Sequence, residues 1–261
     1  MEPRFGRLYA NAVLRPLAEQ VVGVLAVQPG ETVCDLMCDG ATLGVALGTV
    51  VGNQGAVVLV DTDDGLLQTA LRDVSAMGCT VSTLVASGGA IQLLESSYDR
   101  VGSLCTLGFW DGDSLLDVAE VATRPGGQAA MLAWEAEHPP AHEAALVDAL
   151  RDVLGFSSQF LRRCLATPDP AHAARWEPVT LHDVVCFDGI GSYWAAMVVD
   201  RPIGGELAGE SEAALSAVRA ACQQALRRWT AADETMRIPV RATLWRSPGE
   251  RATRNSSRRW S

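Results

Sequence analysis

The chain contains no lysine, so its 21 basic side chains are all arginine and every lysine-based mechanism, Schiff-base chemistry included, is excluded. Histidine is nearly as scarce, with His138, His142, His172 and His182 the only four, which leaves few positions for proton transfer near neutral pH. The seven cysteines form no Cys-x-x-Cys pair and are odd in number, which points to reduced thiols rather than a disulfide framework. Cys34 and Cys38 flank a strand with no histidine nearby, so no metal site is expected. The segment MEPRFGRLYANAV carries charges and no long apolar run; neither a signal peptide nor a membrane anchor is expected, and the reading is of a cytoplasmic protein. Positive charge is also in deficit, with a net charge of −10. An average surface of that sign repels phosphate and argues against general affinity for nucleic acid or anionic membrane; a small-molecule partner fits better.

What is present is apolar material in alternation. Hydrophobic residues make up 48% of 261 positions, enough for one large α/β domain over residues 1–246. Residues 247–261 are arginine-rich and poor in core material, and read as a disordered basic tail. A helix over Leu8–Val27 precedes strands at Thr32–Met37, Ala56–Val60, Val81–Ala86, Tyr98–Leu104 and Ala129–Trp134. Helices at Thr42–Val51, Gly65–Met77 and Ser114–Ala122 lie between them. Strands that alternate with helices imply a mostly parallel sheet covered on both faces. After Trp134 come a helix at Glu143–Leu154, a loop at Pro168–Trp176, strands at Val179–Phe187 and Ile238–Trp245, and a helix at Ser211–Trp229; residues 135–200 are expected to form a small lid.

The stretch VCDLMCDGATLG, Val33 to Gly44, lies where the first strand turns into the first crossover helix. With Leu59-Val60-Asp61-Thr62-Asp63 ending the second strand, Ser97-Tyr98-Asp99-Arg100-Val101 opening the fourth, AEVATRPGG before the fifth and Met236-Arg237-Ile238-Pro239-Val240 near the end, residues 9–246 resemble class I S-adenosylmethionine (SAM) methyltransferases. The likeness is greatest to the methyltransferase type 11, ubiquinone/menaquinone-biosynthesis-like group. It implies an α/β fold with a Rossmann-like seven-stranded sheet, helices on both faces and SAM as cofactor. It assigns Asp35, Met37, Asp39, Gly40, Asp61, Thr62, Ser87, Gly88 and Ser103 to the cofactor, with Asp61 on the ribose hydroxyls and Ser87 in the slot of the adenine-reading aspartate. The family's D-x-G-x-G-x-G is not kept: the glycine slots hold Met37, Asp39 and Ala41. If those positions need left-handed backbone, each side chain costs about 1–2 kcal/mol.

Acceptor contacts are expected from Phe109 and Trp110 after the fourth strand, Trp134 at the end of the fifth, and the aromatic segment with Phe187, Tyr193 and Trp194. Together they should wall an apolar cavity of at least ~300 Å³ reaching Asp61 and Ser87. His138 and His142 follow the fifth strand and are the candidates for taking a proton from the acceptor. Two functions remain open at this point. One is SAM-dependent methyl transfer to a small, apolar or planar organic acceptor; the other is a methyltransferase-like protein that does not methylate and serves as a binding partner or in a cyclase-type reaction.

Overall fold

The computed structural model describes residues 4–87, 90–110, 114–135 and 137–248. Seven strands, β1 (Thr32–Leu36), β2 (Ala56–Asp61), β3 (Thr80–Val85), β4 (Tyr98–Leu104), β5 (Thr123–Ala133), β6 (Glu177–Phe187) and β7 (Met236–Arg246), form one sheet in the order β3-β2-β1-β4-β5-β7-β6. The first five run parallel and β7 is antiparallel to both neighbours. The chain order reverses between β1 and β4, and the crevice at that switch point is where open α/β sheets bind ligands.

The α-helices of five or more residues are α1 (Arg15–Val24), α2 (Thr42–Val51), α3 (Asp64–Ser75), α4 (Leu115–Ala122), α5 (Ala141–Leu154), α6 (Gln159–Cys164), α7 (Ile190–Trp194) and α8 (Glu212–Leu226). Side chains alternate across the strands. Val33, Val57, Ala130 and Leu132 pack in one apolar cluster with α1, α2 and α5, whereas Cys34, Val60, Ala129 and Met131 pack in a second with α4. Both faces are therefore covered, as the βα alternation requires. No helix among the described residues is long and apolar enough to cross a membrane.

Two elements differ from the sequence expectation. The N-terminal helix is not continuous: Arg7–Tyr9 leads into a wide π turn, Ala10–Leu14, before α1 begins with Pro16 in its first turn. Proline has no N–H to give to the preceding turn, and the wider spacing accommodates that loss. Strand β5 starts six residues early, because Thr123 already pairs with Tyr98 ahead of a register shift. Residues 135–200 carry helices α5, α6 and α7 and the strand β6. β6 pairs with β7 over eleven residues, from Glu177 opposite Arg246 to Phe187 opposite Met236. Pro239 is tolerated within β7 because it falls in the half that β5 does not pair.

Candidate functional site

The turn after β1 adopts the backbone that its missing glycines would favour. Met37, Asp39 and Ala41 have φ of 58°, 49° and 56°. Local bonds fix this path: the Cys38 amide donates to the Val60 carbonyl (2.8 Å) and the Ala41 amide to that of Cys38 (2.7 Å). Met37 and Ala41 are buried in the apolar clusters, so packing offsets the left-handed cost. Helix α2 then starts at Thr42, and its Gly44 amide donates to Asp35 Oδ2 at 2.7 Å. A Cβ on Gly44 would stand 2.8 Å from the Leu59 side chain and 3.1 Å from Asp35, so a larger residue would have to displace the end of the Leu59 side chain. Burial, reinforced by Asp61 and Asp39, raises the Asp35 carboxyl to a pKa of about 8 against the opposing Gly44 bond; at neutral pH it is protonated.

Asp61, at the end of β2, accepts the amides of Asp39 (2.9 Å) and Thr62 (2.7 Å). Its remaining capacity is taken by the Arg4 guanidinium, with Nη2 at 2.5 Å and Nη1 at 3.3 Å. Asp39 holds the same segment by its backbone, accepting the Arg4 amide (2.7 Å) and the Phe5 amide (3.0 Å). Burial opposes the charge on Arg4, but Asp39 and Asp61 outweigh it and its pKa is raised. Asp39 is pushed up by its own burial, against the pull of Arg4 and the two amides. The space left between Phe5, Asp35, Met37, Asp39, Gly40 and Leu43 is about 10 Å³, at the limit for a single water.

Phe5 brings a ring to the other half of the site. It lies 5.6 Å from Tyr9, 5.9 Å edge-on to Phe109 and 6.3 Å from Phe160. Behind them is a fully buried polar group. Arg201 pairs with Glu143 (3.0 Å), lies 4.2 Å over the Tyr9 ring and reaches Cys164 Sγ at 3.3 Å; the Tyr9 hydroxyl donates to Glu143 at 2.7 Å. His142 adjoins this cluster, edge-on to Trp134 at 5.7 Å, and neither of its ring nitrogens has a hydrogen-bond partner among the described residues. Burial lowers its pKa to about 4, with Arg201 adding to the effect and Glu143 opposing it, so the ring is neutral at pH 7.

The sequence-chosen residues divide accordingly. Asp35, Met37, Asp39, Gly40, Asp61 and Thr62 converge at the switch point. Ser103 is buried with its hydroxyl 2.5 Å from that of Thr106, Ser87 is exposed, and Gly88 lies outside the described residues. His138 is exposed and stands apart from buried His142. Trp110 lines a separate open cavity of about 250 Å³ with Leu107, Leu115, Pro168 and His172. The expected aromatic wall is corrected by the structure. Phe187 and Tyr193 pack edge-on at 5.4 Å inside the core, the Tyr193 hydroxyl donates to the His142 carbonyl, and Trp134 is fully buried; Trp194 rests half-buried against the same core. The long β6–β7 pairing draws Phe187 into the sheet layer and away from Asp61. The space beside Asp35–Asp39 is accordingly far below the expected ~300 Å³. Arg4, Phe5, Tyr9, Glu143, Phe160 and Arg201 were not legible as site residues: an arginine or phenylalanine near the start of a chain has no local pattern that ties it to a strand end far along the sequence. No group of three or more potential metal ligands occurs among the described residues.

Comparison with known proteins bears on the family and the fold. Residues 15–156 match the model of the ubiE/COQ5 methyltransferase family. No curated protein sequence matches. Among solved structures, a candidate methyltransferase of an antibiotic biosynthesis pathway from Anabaena variabilis superposes with a TM-score of 0.57 at 10% identity, over 92% of this chain and 99% of that one. A candidate methyltransferase from Bacillus halodurans gives 0.54 at 14% identity, over 90% and 99%. A candidate type II methyltransferase from Anaeromyxobacter dehalogenans gives 0.53 at 16% identity, over 96% and 99%. At these identities the likeness is one of fold.

Proposed function

We propose that this chain, which belongs to the ubiE/COQ5 methyltransferase family, transfers a methyl group from SAM to a small, planar or apolar organic acceptor. The observation that carries this reading is the left-handed geometry of Met37, Asp39 and Ala41, kept without glycine and at the cost of strain. The turn thereby keeps the backbone path of the family's glycine loop beside Asp61, held by its own hydrogen bonds and packing.

The residues fit the cofactor once Arg4 has left. Asp61 would take the ribose hydroxyls, the loop backbone from Met37 to Ala41 the methionine portion, and the Asp39 carboxylate its ammonium. The cofactor supplies an electrophilic methyl group on a sulfonium. With Phe5 withdrawn, Tyr9, Phe109 and Phe160 would offer ring faces and edges for a planar acceptor, and the work left to the protein is largely alignment and exclusion of water. His142 is the candidate to accept an acceptor hydroxyl proton because its ring nitrogens have no partner among the described residues, although burial disfavours the imidazolium that would form. The proposal is of a cytoplasmic enzyme with a small-molecule partner and no nucleic acid.

Calorimetric titration with SAM and S-adenosylhomocysteine tests it. Binding is expected, and Asp61→Ala should weaken it by about 1–3 kcal/mol by leaving ribose hydroxyls unpaired. No heat and no thermal shift at millimolar SAM would defeat the reading. The second function, a protein that does not methylate, would then stand on the one observation that favours it: Arg4 fills the place of the ribose.

A further inference from the structure

We infer that the segment Arg4–Phe5 is an internal occupant of both halves of the site and that ligand entry requires its withdrawal, an inference that rests on the methyltransferase reading above. Each part of the segment matches one subsite. The Arg4 guanidinium sits on the strand-two acid, two successive amides sit on Asp39, and the Phe5 ring sits between Phe109 and Tyr9. A ligand that used Asp61 for hydroxyls and Asp39 for an ammonium would need the same oxygens, so the two occupancies exclude one another.

The segment also accounts for the departure from the glycine motif. Glycine at position 39 would have no carboxylate with which to hold the Arg4 and Phe5 amides. Asp39 therefore serves the closed state, and the positive charge of Arg4 compensates two carboxylates that would otherwise be buried without a counter-ion. The chain that follows the segment has its own seat. A Cβ on Gly6 would fall 1.7 Å from the Asp200 carbonyl oxygen, and the Leu8 amide donates to the Asp200 carboxylate at 2.5 Å. Gly6 is thus the hinge point at which the segment is held against the body, outside both subsites. Apparent ligand affinity is then reduced by the fraction of molecules with the segment in place.

The test uses the full chain and its Arg4→Ala, Gly6→Ala, Asp61→Asn and Arg4→Ala/Asp61→Asn variants. Ligand-free thermal unfolding reads the closed contact alone. The losses in Tm from Arg4→Ala and Asp61→Asn are expected to overlap, so that the double variant melts little below the poorer single variant. Titration with S-adenosylhomocysteine reads entry: Arg4→Ala and Gly6→Ala should each bind at least about ten-fold more tightly than the parent, as a mostly closed population requires. Additive losses in Tm would show that Arg4 does not rest on Asp61 and would overturn the inference whatever the titration gives. Overlapping losses with equal affinity for parent, Arg4→Ala and Gly6→Ala would overturn it as well. Overlapping losses with no binding by any of these proteins would mark a permanent filling, so that the methyltransferase reading fails while the closed contact stands.

Discussion

Ala41 carries the left-handed strain in its simplest form, because its methyl group accepts no hydrogen bond and its φ of 56° is available to glycine without penalty. Ala41→Gly removes about 1–2 kcal/mol of strain and returns part of it through the greater freedom of the unfolded chain. A net gain of about 0.5–1 kcal/mol is expected, visible as a rise of a few degrees in Tm; a lower Tm would mean that packing of the methyl outweighs the backbone term. The question of positive φ at Met37, Asp39 and Ala41 was posed in the sequence by the likeness to the family's glycine motif, and the backbone answers it. The arginine that fills the site was not legible, because no local pattern ties Arg4 to the end of β2.

At the scale of elements, Arg201 joins three pieces of chain remote in sequence: the N-terminal segment through Tyr9, α5 through Glu143 and α6 through Cys164. Burial opposes its charge and Glu143 more than restores it, leaving the guanidinium firmly protonated. Arg201→Met would strand the Glu143 carboxylate in a closed core, at an expected cost of about 3–5 kcal/mol in urea unfolding. Adding Glu143→Leu should recover part of that loss, since a buried pair replaced by apolar groups leaves no orphaned charge; a double variant less stable than the single would contradict it. The seven strands were legible, the buried ones as short apolar runs and the last two as apolar–polar alternation. The pairing of the sixth strand was not, for a physical reason. Val179–Phe187 shows strand composition but not its partner, and its pairing with Met236–Arg246 closes across about fifty residues of intervening chain, which local periodicity does not encode.

For the whole molecule, two buried groups shape stability against pH in opposite senses. Asp35 titrates near 8 when folded and about 3.9 when unfolded, so the native state binds the extra proton between those values and stability falls as pH rises through that range. His142 titrates near 4 when folded and about 6.5 when unfolded; its contribution is present above the upper value and lost as pH falls toward the lower. Asp35→Asn should therefore flatten the decline in Tm between about pH 5 and 8 while leaving the acid limb unchanged. An unaltered alkaline slope would place the titrating proton elsewhere. The absence of lysine gives the Arg4–Asp61 contact a last consequence. Trypsin can cut this chain only after arginine, and it must draw that side chain into its own acidic pocket to do so. While Arg4 rests on Asp61, the Arg4–Phe5 bond is withheld from the protease, and its rate of cleavage becomes a clock for how often the segment leaves the site.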